Sequence, residues 1–339
     1  MGLKPGFIIK GVRASYKVHQ ALKSNTVFKA QVLDSPHLDS KWAVVKTSSN
    51  ELERALLHRE FTNYQTPEIG GSQYIRRLHE AIGPFFYRPY PHDEPPEHIN
   101  HQHYLIFEWM DTDLWHTPSR PFRDGRSEFP KLVSKSILEA LAIFRKLGKV
   151  HTDINPNNVL VSGLEGSVPT VKVADLGMLV PEGPRPRRLQ SLPCRAPEVW
   201  RGLGVFHSSD VWSVGVTLAH WLRQATIFGA SDKFIEGLTE AWCLGKLHLL
   251  VGPLGEYNGS PEIEEEWDVA EQLKDMDVGP PIGKLIKIQT LRKELERIVD
   301  PPVSSSLVDF IESLLIIDPS KRPTAEEAQR HSFLAATHV

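Results

Sequence analysis

His151-Thr152-Asp153-Ile154-Asn155-Pro156-Asn157-Asn158-Val159-Leu160 places an acid five residues ahead of a carboxamide, and both ahead of an apolar strand. About twenty residues further on, Val173-Ala174-Asp175-Leu176-Gly177 supplies a second acid. A carboxylate can accept or orient a hydroxyl that must lose a proton. A carboxamide and a second carboxylate offer the hard oxygens that a magnesium-bound phosphate needs. One such segment alone is weak evidence, whereas two in this order are specific. They assign Asp153 to the hydroxyl, and Asn158 and Asp175 to the metal.

Size and composition fit that reading. The 339 residues suggest about two domains or one two-lobed unit, and 40% hydrophobic residues are enough for a sizeable core. A formal net charge of -3 gives no reason to expect nucleic-acid binding across the surface. Cys194 and Cys243 make no disulfide framework, so a reducing compartment fits. The start, Met1-Gly2-Leu3-Lys4-Pro5-Gly6, is no secretory signal, and Gly6 stands where acylation calls for Ser or Thr. No window approaches a membrane span. The expectation is a monomer in the cytosol or nucleus, with no nucleic-acid or membrane partner.

The first hundred or so residues read as strand-rich. Segments 27–33 and 41–46 are expected to pair across a turn around Ser35-Pro36, and 103–107 is another strand. Residues 51–65 read as a helix with Asn50 as N-cap and Leu52, Leu56 and Leu57 on its apolar face. A Pro- and His-rich stretch, 89–103, holds His92, His98, His101 and His103; a polar loop explains it better than a metal cluster. The rest reads as helical: 132–147 ending at Gly148, a buried helix over 211–222, an acidic solvated helix end at 262–267, and two closing helices over 301–334. No internal repeat is visible.

These segments resemble the eukaryotic protein kinase domain over nearly the whole chain. His-Thr-Asp-Ile-x-Pro-x-Asn at 151–158 and Ala-Asp-Leu-Gly at 174–177 look most like the SR-protein kinases and their relatives. Cys194-Arg195-Ala196-Pro197-Glu198 is similar to the Tyr-Arg-Ala-Pro-Glu segment of the broader group, and Leu105-Ile106-Phe107-Glu108-Trp109-Met110 resembles the hinge strand of cyclin-dependent kinases. Ser209-Asp210-Val211-Trp212-Ser213-Val214-Gly215 matches the start of the central helix, and Ile317-Asp318-Pro319-Ser320-Lys321-Arg322-Pro323 the late Arg motif.

The resemblance implies an α+β, bilobal fold: a small antiparallel β-sheet N-lobe with one main helix over 1–110, and a larger, mostly helical C-lobe over 111–339. It implies ATP and magnesium as cofactors and a protein Ser/Thr hydroxyl as acceptor. Lys46 would bind the α- and β-phosphates and pair with Glu60, with Glu53 as the weaker alternative. Phe107 would be the gatekeeper, Glu108 and Met110 would present backbone groups to adenine, and Asp113 would reach the ribose. Val27, Val44 and Leu160 would sandwich the base; as plain core residues they would look the same. Glu198 and Arg322 would form a buried ion pair, and Asp210 would accept backbone hydrogen bonds from the catalytic loop.

Three departures bear on activity. The positions of the three phosphate-loop glycines are Gln20, Leu22 and Asn25, where side chains hinder close backbone approach to phosphate. Asn155 replaces the lysine that neutralises the transferred phosphoryl group. Thr152 replaces the arginine that clasps an activation-loop phosphate, and no Ser, Thr or Tyr occurs from Met178 to Gln190. That loop instead carries Arg185, Arg187 and Arg188. The expectation is a serine/threonine kinase of reduced activity, not switched by activation-loop phosphorylation. The alternative is a pseudokinase that acts as a binding scaffold.

Overall fold

In the computed structural model, residues 3–335 are described apart from 24, 36, 37, 39, 88–102, 167 and 258. Pro36 and the stretch holding His92, His98 and His101 therefore lie outside the described residues. The chain divides into two compact units, Met1–Asp111 with Ala174–Leu179, and Thr112–Val173 with Val180–Val339.

The first unit is built on β1 (Ile8–Lys10), β2 (Ser15–Lys23), β3 (Val27–Leu33), β4 (Trp42–Lys46), β5 (Leu78–Ile82) and β6 (Tyr104–Glu108), with helices α1 (Glu51–Tyr64) and α2 (Pro67–Gly70). The strands form one antiparallel sheet in the order β1-β2-β3-β4-β6-β5. Alternation sorts its side chains, because successive residues of a strand point to opposite faces. Tyr16, Val18, Phe28, Ala30, Val45 and Ile106 fill the core of one face. The registers Val27↔Lys46, Lys29↔Val44 and Val44↔Phe107 put Val27, Lys29, Val44, Lys46 and Phe107 on the other.

The β2–β3 hairpin pairs as far as Lys23↔Val27, with two register shifts on the way. Gln20 and Asn25 are exposed and Leu22 is 43% exposed, so the three glycine-deficient positions lie on an ordinary strand-turn-strand.

Asn50 caps α1 as expected, its side chain accepting from the Glu53 amide at 2.9 Å. The apolar face differs from the sequence reading. Leu52 is 72% exposed, and the buried stripe is Leu57, Glu60, Phe61 and Tyr64. Leu52 sits five residues before Leu57, which at 3.6 residues per turn is about 140° round the helix. His103 precedes β6, is buried, and meets Ser48 Oγ through Nε2 at 2.5 Å.

The second unit contains β7 (Thr112–Asp113), α3 (Phe129–Lys146), β8 (Lys149–Val150), β9 (Val159–Ser162), β10 (Thr170–Val173), β11 (Val180–Pro181), α4 (Pro197–Trp200), α5 (His207–Arg223), α6 (Thr239–Val251), α7 (Pro261–Asp275), α8 (Leu291–Glu296), α9 (Ser305–Leu314), α10 (Ala325–Ala328) and α11 (Ser332–Ala335). Helices dominate, with small sheets β10-β9-β7 and β11-β8. Gly148 ends α3 with φ +62°, a left-handed conformation that glycine adopts without steric cost. The segment 211–222 is buried at every position, as a helix apolar on all sides must be. The acidic stretch 262–267 forms the N-terminal end of α7, with Glu262, Glu264 and Glu265 exposed as expected and Trp267 turned into the core. The closing segment forms three short helices instead of two: Pro319 and Pro323 lie in the gap between α9 and α10, and a further break at 329–331 separates α10 from α11. Together the units have the expected class: an antiparallel sheet with one main helix, and a larger helical unit. Among the described residues no helix is long and apolar enough to cross a membrane.

His207 is held neutral in this fold. Burial, with Arg145 nearby, lowers it to about 4, and its Nε2 accepts from the Ala325 amide at 3.0 Å. The unfolded chain binds that proton near pH 6.5, so the stabilising effect of neutral His207 is full above 6.5 and is lost as pH falls through 4. Comparing wild type with His207→Gln by urea unfolding isolates it. The wild-type advantage is expected to shrink by about 3 kcal/mol between pH 7 and pH 4. A pH-independent difference would contradict this account.

Candidate functional site

Within the first unit, Lys46 gathers two acids. Its Nζ donates to Glu60 Oε2 at 2.7 Å and to Asp175 Oδ1 at 2.8 Å. Burial by itself lowers an ammonium, but the Glu60 and Asp175 carboxylates outweigh it, and Lys46 is raised and stays charged. Burial pushes Glu60 up, against the pull of Lys46. Glu53 is engaged elsewhere, accepting from the Ser49 amide and hydroxyl at 2.7 Å.

α1 also carries residues 174–179. Glu60 Oε1 accepts from the Leu176 amide at 3.2 Å, and Asn63 Nδ2 donates to the carbonyls of Leu176 and Leu179 at 3.0 and 3.1 Å. Asp175 adopts φ +63°, a left-handed conformation that costs a non-glycine residue energy and recurs at functional sites. Gly177 has a steric reason: an added Cβ would lie 3.3 Å from the Leu56 carbonyl.

On the sheet face that carries Lys46, Val44 and Phe107 are buried and Val27 is half-buried. Lys29 Nζ lies between two indoles, 4.3 Å from the Trp42 ring and 4.0 Å from that of Trp109. Met110 is buried beyond them. Glu108 is held from one side. Its amide donates to the Arg77 carbonyl at 3.0 Å, and its carbonyl accepts from Arg76 Nε and Nη2 at 3.0 and 2.9 Å.

Within the second unit, Asp153 is surrounded by amides. Asn155 Nδ2 donates to its carbonyl at 3.0 Å and to Oδ1 at 3.1 Å. Asn158 Nδ2 donates to the same carbonyl at 2.9 Å and to Oδ2 at 2.8 Å. Each carboxylate oxygen therefore receives one carboxamide hydrogen. With its nitrogen spent on Asp153, Asn158 has its oxygen left to accept, and an amide oxygen beside a carboxylate is a donor set that could hold magnesium. Asp210 Oδ2 and Oδ1 accept from the amides of His151 and Thr152 at 2.6 and 3.0 Å. Burial pushes Asp210 up to about 7, against those two hydrogen bonds. Asp113 accepts from the His116 amide and ring, and is paired in register with Leu160.

The segment after β11 is fixed by contacts at several points. Arg188 makes a two-pronged ion pair with Glu266 of α7, at 2.6 and 2.8 Å. Gln190 reaches the Ser209 carbonyl and Ser213 hydroxyl, and accepts from the Ala196 amide. Arg195 donates to the carbonyls of Leu189 and Gln190 and stacks on Trp200. Glu198 and Arg322 pair at 2.8 Å with side chains 2% and 0% exposed.

Sequence reasoning named Lys46, Glu60 and Asp175, which meet in one unit, and Asp153, Asn155 and Asn158, which meet in the other. It missed Arg76, Gln190 and Glu266. Arg76 stands in Ile75-Arg76-Arg77-Leu78, where a surface cation is the ordinary reading. Glu266 is one acid in an acidic run.

The protein kinase domain family matches residues 40–334. Cyclin-dependent kinase B2-2 of Arabidopsis thaliana is 29% identical over 241 residues, 68% of this chain and 67% of that protein. Serine/threonine-protein kinase MAK of Homo sapiens is 28% identical over 252 residues, 70% of this chain but 34% of its own length. Mitogen-activated protein kinase spk1 of Schizosaccharomyces pombe is 27% identical over 245 residues, 69% of this chain and 58% of that protein. This chain thus spans about a third of MAK and under two thirds of spk1.

Glu198→Gln would leave the Arg322 guanidinium buried without its counter-charge. A loss of about 3–5 kcal/mol in urea unfolding is expected. A loss below 1 kcal/mol would show that the pair is dispensable.

Proposed function

The chain belongs to the protein kinase family, and on that footing we propose that it is a serine/threonine protein kinase of low turnover that uses ATP and magnesium. The observation that carries the reading is the triad of Lys46 with Glu60 and Asp175 at 2.7 and 2.8 Å. A charged lysine held by a buried acid is the device that fixes a polyanion's phosphates, and phosphoryl transfer depends almost wholly on such positioning and electrostatics. In this reading the N-lobe, 1–110, binds nucleotide through Val27, Val44, Phe107, Met110 and Lys46. The C-lobe, 111–339, supplies Asp153 to orient the hydroxyl, with Asp113 and Leu160 beside the nucleoside. Asn158 and Asp175 would hold magnesium, which supplies charge neutralisation at the phosphates.

Low turnover follows from Asn155. It spends its amide on Asp153 and carries no charge, so the transferred phosphoryl group lacks one cation. Losing one preorganised donor typically costs ~3–4 kcal/mol, or ~100–1000-fold in rate. The second reading, a scaffold without transfer, draws on the same geometry, because both Asp153 oxygens already have amide partners.

The affinity to SR-protein kinases rests on the 151–158 and 174–177 motifs. The activation segment supports a related property: Arg188 finds its acid in Glu266 rather than in a phosphate. The segment is set without phosphorylation, and phosphatase treatment is expected to leave activity unchanged. A large loss on dephosphorylation would refute this.

Three variants test the proposal in one assay of nucleotide binding and transfer to a generic Ser/Thr substrate. Lys46→Met is expected to weaken ATP binding, and Asp153→Ala to abolish transfer while binding persists. Asn155→Lys is expected to raise the rate by about 10-fold or more. Binding without transfer in wild type and in Asn155→Lys would favour the scaffold.

A further inference from the structure

A cavity of about 410 Å³ opens on the first unit between α1, β5 and the turn that follows β1. None of the residues assigned above to nucleotide or metal lines it. Phe61 and Tyr64 of α1 and Leu78 of β5 give it an apolar wall, and Arg13, Gln65 and His79 bring polar groups to it.

The turn beside the cavity is fixed. Val12 and Arg13 donate their amides to Glu80 Oε2 at 2.8 and 3.3 Å, and Tyr16 OH donates to Oε1 at 2.5 Å. This approach requires glycine at position 11, because an added Cβ would collide with the Glu80 carboxylate. The turn is thereby pinned to β5, and it holds Val12 100% exposed at the edge of the cavity. A valine side chain kept wholly in water gains when an apolar partner covers it.

The charge around the cavity is one-sided. Among the described lining residues the one acid is Glu80, and its oxygens are already taken by those three donors. Neither Arg13 nor Arg77 pairs with a carboxylate among the described residues, and Arg13 reaches the cavity wall. Burial lowers His79 to about 4, against the pull of Glu108 and with Arg77, Arg13 and Arg76 nearby. A guanidinium without a counter-charge, next to an apolar wall, suits an occupant that carries a carboxylate beside an apolar group. The strand leading into the turn also exposes Phe7 and Ile8, at 39% and 48%. A small acid would fill the cavity and leave these side chains and Val12 bare, whereas a peptide is long enough to cover them.

We propose that this cavity and the 11–13 turn are a docking site for an acidic peptide segment of a partner protein, which inserts an aromatic or branched apolar side chain between α1 and β5 and sets its carboxylates against Arg13 and Arg77. The inference stands apart from the nucleotide reading.

Selection of random peptides displayed on phage against the full chain tests it. Enriched peptides are expected to combine Asp or Glu with an aromatic or branched apolar residue. Synthesised with a fluorescein label, they are expected to bind more weakly as salt is raised. Arg13→Glu, a change at an exposed position, is expected to weaken them by about 10-fold or more, and Val12→Ser by a similar factor. Arg126→Glu, an exposed cation of the second unit, is expected to leave binding unchanged. Hydrogen exchange is expected to slow in β5 and in the last turn of α1 when the peptide is bound. No enrichment, or enrichment of neutral or basic sequences, overturns the proposal. So does binding that Arg13→Glu leaves intact, or exchange protection confined to other elements. Concentration-dependent self-association in sedimentation that Arg13→Glu abolishes would also overturn it, because a second copy would then be the occupant.

Discussion

A buried carboxylate, Asp210, holds the peptide at which Asp153 begins. Its two oxygens take the amides of His151 and Thr152, and Thr152 sits at φ +60°. A β-branched residue does not rest there unaided, since left-handed backbone brings its branched side chain close to the main chain. The two hydrogen bonds supply the restraint, and the turn they create presents Asp153 to Asn155 and Asn158. The position of α5 in turn depends on burial of nearly every side chain from Ser209 to Leu222. The Asp153 cluster of the second unit is thus anchored to a helix buried along nearly its whole length.

A similar logic governs the platform after β11. The cations of this stretch do not all face solvent. Arg188 is taken by Glu266, Arg195 by the backbone it follows and by Trp200, and Arg322 by Glu198. α7 is itself secured by Trp267, whose indole donates to the Gly255 carbonyl, while Arg201 stacks on its ring. The stretch from Met178 to Gln190, which has no Ser, Thr or Tyr, is thus held by contacts made within the fold, the Arg188–Glu266 pair among them.

The clustering of Lys46 with Glu60 and Asp175, and of Asp153 with Asn155 and Asn158, was legible because residue type and spacing are dictated together. Asp153, Asn158 and Asp175 stand at intervals that turn and strand geometry must respect, and Lys46 ends a strand whose alternation is plain. Strands β3, β4 and β6 could be read for the same reason. The buried face of α1 was misplaced because Leu52 and Leu56 are apolar, whereas the real stripe includes Glu60, an acid whose burial is compensated by Lys46 and the Leu176 amide. The partnership of Arg76 with Glu108 spans 32 residues, and that of Arg188 with Glu266 spans 78. No local pattern announces such contacts, since each arginine reads as an ordinary surface cation until its neighbours are known. The break that creates a third closing helix falls at Gln329-Arg330-His331, where no proline or glycine announces it.

Lys46 joins Glu60 on α1 to Asp175 on a segment from far along the chain. One ammonium serving two acids makes those acids thermodynamically linked. Whatever withdraws Asp175 from the lysine strengthens its hold on Glu60 and liberates a donor for an incoming anion. Whatever neutralises Lys46 loosens Asp175. By reciprocity the coupling has the same magnitude in both directions, so in the proposed reading cation uptake at Asp175 and anion uptake at Lys46 would favour one another.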